Sequence, residues 1–156
     1  MKAKEKNLVD LFNQIQLKNV MNSPPITAEI DDPLAKVHEK FRKFNIKHLL
    51  VVNKEKKLSG ILTLNDLFKI TTPKLLSDGS WYFEKPEELN QFPLYRLMAK
   101  NPHYMRSEDK LIEAMKQMAS GGFGCIPIVD AKSLAPIGIV TQSDVIRVVT
   151  EIFGHE

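Results

Sequence analysis

A single cysteine, Cys125, excludes an internal disulfide and fits a reducing compartment. Lying between Gly124 and Ile126 in an apolar stretch, it has the setting of a small core residue rather than of a nucleophile. Long hydrophobic runs are missing too. None approaches the ~20 residues that span a bilayer, and the basic start Met1-Lys2-Ala3-Lys4 lacks the apolar region of a signal peptide. No sign of charge dominates: the net charge is +3 and dispersed, which leaves no footprint for nucleic acid. The four histidines show no ligand spacing, so a metal site is disfavoured, and none stands in a triad context. A Gly-x-x-x-x-Gly-Lys phosphate loop is absent as well. These gaps lead us to expect a cytoplasmic chain that is not an enzyme and has neither a nucleic-acid nor a membrane partner.

What the chain does have is one short phrase, twice. Gly60-Ile61-Leu62-Thr63-Leu64-Asn65-Asp66 recurs as Gly138-Ile139-Val140-Thr141-Gln142-Ser143-Asp144, an offset of 138 − 60 = 78 residues. A hydrophobic content of 43% is that of a globular protein, and 156 residues can bury a sizeable core. Length alone gives about one domain; the repeat splits it into two similar halves.

The surroundings of the phrase repeat with it. His48-Leu49-Leu50-Val51-Val52-Asn53 and Cys125-Ile126-Pro127-Ile128-Val129-Asp130 are short apolar runs closed by a turn-forming residue, the mark of buried strands. Upstream of each lies an amphipathic helix. Leu34, Val37, Phe41 and Phe44 share a face in the first, with Asp32 as N-cap and Pro33 at the first helical position. Leu111, Ala114, Met115 and Met118 form the stripe of the second, and Gly121-Gly122 stops it. Further upstream, Met21-Asn22-Ser23-Pro24 parallels Ala99-Lys100-Asn101-Pro102. A last helix starts inside each phrase, running in the second copy through Val145, Val148, Val149 and Ile152.

Thr-x-x-Asp has two physical uses. As a capping box, the hydroxyl accepts from an early backbone N–H and the carboxylate faces the same helix end, with no ligand involved. The same geometry suits a nucleotide: helix N-terminal N–H groups for a phosphate, and an acceptor-only carboxylate for a ribose cis-diol. The residues alone leave both open.

The two phrases, the strands ahead of them, and the opening Met21-Asn22-Ser23-Pro24 with Ile26-Thr27 resemble the CBS domain; the tandem resembles a Bateman module, over roughly Lys18 to Thr150. The resemblance implies an α+β fold of two β-α-β-β-α subdomains packed as a pseudo-two-fold pair behind an N-terminal helix. The divisions expected are a helix over 1–17, a first domain over 18–70, a connecting insert over 71–94 and a second domain over 95–156. It also implies a regulatory role, in which AMP, ADP or ATP binds in clefts between the domains as a ligand rather than a cofactor. Occupancy would be reported to an unidentified effector protein, and the module would be a homodimer. The alternatives are a ligand-free dimerisation scaffold and a binder of S-adenosylmethionine or adenosine. The nucleotide-binding positions so implied are Ile26, Thr27, Lys47, His48, Thr63, Asn65 and Asp66 in the first half. In the second they are Tyr104, Ile126, Pro127, Thr141, Ser143 and Asp144.

The halves are not equivalent. Lys47-His48 opens the first strand with a basic residue where the second has Gly124-Cys125, and Thr27 is replaced by Met105. Ser143 offers phosphate a hydroxyl, Asn65 an amide; Lys100, His103 and Arg106 stand within reach of either cleft. The Val145–Ile152 stripe is a candidate dimer face. Outside the repeat, Leu8, Leu11, Phe12 and Ile15 read as a helix packed on the module, or as a docking helix. In the Pro-broken insert Thr71 to Leu94, Trp81-Tyr82-Phe83 reads as a plug folded back on the core, or as a partner-binding loop.

Overall fold

The computed structural model describes residues 2–154, with side chains from residue 8 onward. Helix α1 (Lys2–Gln14) and a 3-10 turn (Leu17–Asn19) precede the first repeat. That repeat consists of β1 (Thr27–Glu29), α2 (Leu34–Phe44), β2 (His48–Val52), β3 (Leu58–Thr63) and α3 (Leu64–Phe68). The insert folds into a hairpin of β4 (Lys74–Leu75) and β5 (Trp81–Tyr82), a 3-10 segment (Pro86–Gln91) and α4 (Leu94–Leu97). The second repeat holds β6 (Ala99–Lys100), β7 (Met105–Arg106), α5 (Leu111–Gly121), β8 (Cys125–Val129), β9 (Pro136–Thr141) and α6 (Gln142–Phe153). The fold is α+β, and no helix among the described residues is long and apolar enough to cross a membrane.

The chain packs as two compact units, 26–102 and 1–25 with 103–156. The boundaries expected in sequence order put 18–25 with the first repeat and 95–102 with the second. Packing groups these two segments the other way: the second repeat's lead-in strand β6 joins the sheet of the 26–102 unit, and Asn22, ahead of the first repeat, bridges to β9 of the other unit. In the 26–102 unit β6 joins β3, giving the order β1-β2-β3-β6. In the other unit β7, β8 and β9 form the sheet, and Asn22 exchanges two backbone hydrogen bonds with Ile139 (2.9 and 3.0 Å).

This crossing accounts for the glycine in each phrase. A Cβ on Gly60 would stand 2.9 Å from the Ala99 carbonyl oxygen and against Met98; one on Gly138 would stand 2.9 Å from Cγ of Met21. The Gly60 position is closed by backbone, the Gly138 position by a side chain.

Within the repeats the turn signals act as expected. Asn53 accepts from the Glu55 and Lys57 N–H groups, Asp130 from those of Lys132 and Ser133, closing the β2–β3 and β8–β9 turns. The first cap differs from expectation. Pro33 is the N-cap of α2, its carbonyl accepting from Lys36 and Val37, because the Asp32 carboxylate is engaged by Glu29 N–H in the preceding turn. Asn45 in the left-handed region (φ 47°) ends α2, and Gly122 (φ 67°) ends α5.

Leu34, Val37 and Phe41 of α2 pack on Leu49, Val51, Leu62 and Leu67; Phe44 instead lies exposed under the Lys43 ammonium. Phe83, Leu89 and Leu94 of the insert close this core, and Trp81 meets Phe68 edge-on at 5.5 Å. Trp81 and Phe83 of the aromatic triplet thus fold back on the core as the plug reading expects. In the other unit Leu17, Leu111, Ala114, Ile126, Ile128 and Val140 make the core, with Phe12 and Ile15 packed against it. The N-terminal helix thus packs on this unit, although Leu11 turns outward. Val145 and Val148 of the C-terminal stripe also pack on this core, which leaves Ile146 and Phe153 exposed.

Candidate functional site

The repeated phrase builds one corner in each unit. In the 26–102 unit His48 faces Thr63 across antiparallel β2 and β3, and Thr27 lies beside Leu50 in parallel β1 and β2. That register gathers Ile26, Thr27, Lys47, His48, Thr63, Asn65 and Asp66 where β1 and β2 start, β3 ends and α3 begins. The Lys47 carbonyl accepts from Leu64 N–H at 3.0 Å, tying strand start to helix start. Lys47 and Asn65 are exposed and His48 is half-buried; burial, then the neighbouring Lys47, push its imidazole below the usual value. Ile26 packs on the core, while the Thr27 carbonyl accepts from Lys40 Nζ at 2.7 Å.

Asp66 is the buried member. Its Oδ2 accepts from the Thr63 N–H and hydroxyl (both 2.8 Å), the Thr63 hydroxyl accepts from Asp66 N–H (3.2 Å), and Oδ1 takes Lys69 Nζ (2.6 Å). Burial pushes this carboxyl up, yet the Lys69 and Thr63 donors outweigh it and hold the group below the usual carboxylate range.

The other unit repeats the arrangement. Cys125 faces Thr141, the Gly124 carbonyl accepts from Gln142 N–H at 3.1 Å, and Met105, which follows Tyr104, lies beside Ile128. Asp144 Oδ2 accepts from the Thr141 N–H (2.8 Å) and hydroxyl (2.9 Å). Asn22 Nδ2 lies 3.0 Å from both oxygens, and Arg147 donates to Oδ1 at 3.2 Å. Here too burial raises the carboxyl and the donors, led by Thr141 and Asn22, bring it below its ordinary value.

Of the residues expected in the second half, Ser143 and Tyr104 are exposed, whereas Ile126 and Pro127 are buried, Ile126 inside the core. Burial pushes the Cys125 thiol up to about 12, so it stays protonated and unreactive. His103 stacks on Phe123 (5.8 Å between centroids, 13° between planes), and the Phe123 carbonyl accepts from Gln142 Nε2. Lys100 lies 6.0 Å over the Tyr95 ring, and Arg106 is exposed with its N–H on the Asp109 carboxylate.

Four residues at the corners were not anticipated. Lys69 and Arg147 obey the repeat (147 − 69 = 78), so extending the phrase by three positions would have found them. Asn22 stood in the matched opening, but its contact with Asp144 depends on the crossing of the lead-in strand, which spacing does not encode. Phe123 had no signal beyond being aromatic next to the strand start.

A family model described as CBS domain matches residues 17–71 and 94–151. A CBS domain-containing protein of Dictyostelium discoideum is 26% identical over 139 residues, covering 89% of this chain and 94% of the relative. The solved CBS domain pair of protein MJ0100, in complex with 5′-methylthioadenosine and S-adenosyl-L-methionine, is similar with a TM-score of 0.72 at 23% identity, over 88% of this chain and 98% of that one. CBSX2 in complex with AMP is similar with a TM-score of 0.69 at 20% identity, over 88% and 98%. At these identities the likeness to the solved structures is one of fold.

Proposed function

The chain belongs to the CBS domain family as a tandem pair, and from that premise we propose that it is a cytoplasmic regulatory module that binds an adenine nucleotide and reports its level to a partner protein. The observation that carries this reading is the duplicated corner: a carboxylate held at a helix start beside a strand start with exposed polar side chains. The ligands of the similar CBS pairs, AMP in one and 5′-methylthioadenosine with S-adenosylmethionine in another, support an adenosine-type ligand. In the 26–102 unit Lys47 would meet phosphate and Asp66 the ribose. In the other, Ser143 and the start of α6, a helix of 12 residues, would meet phosphate. Exposed Tyr104 and the His103–Phe123 stack offer aromatic faces to an adenine. Ligand shifts the module toward a conformation only to the extent that it binds that conformation better.

One observation favours a second reading. Every oxygen of Asp66 and Asp144 already accepts a hydrogen bond from the protein. If capping is their whole role, the chain is a dimerisation scaffold without a ligand. Thermal unfolding with AMP, ADP, ATP and S-adenosylmethionine decides. A ligand at about 100 times its Kd is expected to stabilise by about 2.7 kcal/mol. No shift with any of the four at millimolar concentration leaves the scaffold. Both readings make the module a homodimer, with the exposed side of α6 as the shared face, and a single-chain mass by light scattering at micromolar concentration argues against that.

A further inference from the structure

Helix α2 buries a histidine that neither corner uses. His38 is 3% exposed, and neither of its ring nitrogens has a hydrogen-bond partner among the described residues. Buried polar atoms are ordinarily paired, so an unpaired imidazole in a core asks for a reason. Its neighbours are aromatic: the Phe83 ring centroid lies 4.8 Å away and that of Trp81 5.6 Å. Phe68 of α3 closes the box, edge-on to Trp81 at 5.5 Å and to Phe83 at 6.1 Å. Trp81 and Phe83 both belong to the insert, in and just after β5. The hairpin is therefore held to α2 and α3 by aromatic packing around the His38 ring.

An imidazolium is a cation with two N–H donors, and this box supplies no acceptor for either. Burial pushes the His38 imidazole below its usual value; Arg42 of the same helix adds to this and Glu39 opposes it. On the flanking elements Lys74 pairs with Glu84 on the hairpin, Lys69 with Asp66 on α3 and Lys85 with Glu88 on the 3-10 segment, whereas Glu87 of that segment is exposed to solvent and Asp78 of the hairpin turn accepts from Ser80. None of the three aromatic residues lining the box brings a charge to offset a proton on His38.

We propose that this box is an acid-released latch: protonation of His38 expels Trp81 and Phe83 and frees the β4–β5 hairpin, while the rest of the 26–102 unit stays folded. The rest keeps its own core of Leu34, Val37, Phe41, Leu49, Leu62 and Leu67. The 3-10 segment keeps Leu89 in that core, and the Asn90 side-chain Oδ1 accepts from Ala35 N–H (2.9 Å). The open state binds the extra proton more readily, so the closed state is complete above the ordinary histidine pKa of about 6.5 and is lost as pH falls through the window beneath it.

Trp81 is the only tryptophan of the chain, so its emission reports on this box alone. Titration of the full chain from about pH 7.5 to about pH 5 spans the window of a histidine. Trp81 emission is expected to shift to the red across it, with an unchanged far-UV spectrum and faster tryptic cleavage after Lys74. His38→Phe is expected to keep the blue emission throughout. Should that variant fail to fold, the wild type still decides by NMR. The His38 ring must titrate with the same midpoint as the Trp81 emission, and separately from His48, which burial also shifts downward. A flat emission, a transition that survives His38→Phe, a loss of helix signal in step with the red shift, or a mismatch of the two midpoints overturns the latch.

Discussion

The corner at α3 and the corner at α6 share a backbone but secure their carboxylates differently. Asp66 has the Thr63 N–H and hydroxyl on one oxygen and only the Lys69 ammonium on the other. Asp144 has the matching Thr141 donors, and in addition the Asn22 amide across both oxygens and the Arg147 guanidinium. By the repeat, the counterpart of Asn22 is Lys100 (100 − 22 = 78), whose ammonium lies over Tyr95 instead. The duplication kept the cap and let the outer partners diverge. Lys69 is an exposed side chain, and a surface ion pair of that kind is worth only about 0–1 kcal/mol. Oδ1 of Asp66 is thus the acceptor more readily surrendered to a ribose hydroxyl, whereas Asp144 is tied into a cross-strand network. The helices diverge as well: α3 has five residues and little macrodipole, α6 has 12.

The sharpest way to break this comparison is to remove each carboxylate. Asp144→Ala strands the Thr141 and Asn22 donors and is expected to cost about 2–3 kcal/mol of stability by urea unfolding; Asp66→Ala loses one cap and is expected to cost about 1–2 kcal/mol. Equal losses would mean that Asn22 adds nothing to Asp144. Acid does the same more gently. Both carboxyls lie below their ordinary value in the fold, so their contribution is complete above the unfolded pKa of about 3.8 and disappears as pH falls through the lower folded value. Stability is expected to fall below about pH 4, less steeply in the Asp144→Asn variant.

Next come the glycines. At Gly60 an added methyl meets the Ala99 backbone carbonyl, which cannot retreat without breaking the β3–β6 pairing. At Gly138 the obstacle is the Met21 side chain, which can change rotamer. Gly60→Ala is expected to cost about 2 kcal/mol and Gly138→Ala under about 1 kcal/mol, measured by thermal unfolding. The reverse order would mean that the two sheets do not differ in this way.

Much of the fold was legible because period and punctuation were both duplicated: helix stripes, buried strands, Asn53 and Asp130 turns, and the Thr-x-x-Asp caps. Contacts set by chain crossing were not. Nothing in local spacing tells that Asn22 pairs with Ile139, or that residues 95–102 pack with the first repeat. The α2 cap slipped by one residue because Asp32 had a nearer donor in Glu29. At the site, spacing located the Thr and Asp pairs and the strand-start Lys47. It marked the Cys125–Val129 run as a buried strand but not which of its residues face the corner, since an all-buried strand has no polar alternation to mark its open side. His38 was hidden for a related reason: on a helix rich in lysine a histidine reads as one more polar residue, and only the returning insert buries it.

The corners also differ in what they offer phosphate, and affinity measures that. Lys47→Ala is expected to weaken AMP or ATP about ten-fold or more while leaving adenosine nearly unchanged, because a charged hydrogen bond is worth roughly 1.5–3 kcal/mol. Equal weakening of nucleotide and adenosine in a calorimetric titration would make Lys47 a residue that shapes the corner without touching phosphate.

The smallest effect belongs to the second corner. Ser143 is exposed in the first turn of α6 and is neutral, so its hydroxyl can add only an ordinary hydrogen bond of about 0.5–1.5 kcal/mol to what the helix start provides. Ser143→Ala is expected to weaken nucleotide binding by about two- to ten-fold, and less than Lys47→Ala does. Salt separates the two mechanisms. Binding at a corner that relies on the Lys47 charge weakens as ionic strength rises, whereas a hydroxyl and backbone N–H groups respond less. Isothermal titrations at low and high salt on Lys47→Ala and Ser143→Ala therefore assign each corner its share. If Lys47→Ala retains the full salt dependence of the wild type and Ser143→Ala loses it, phosphate is held by charges around α6, and the ranking of the two corners is inverted.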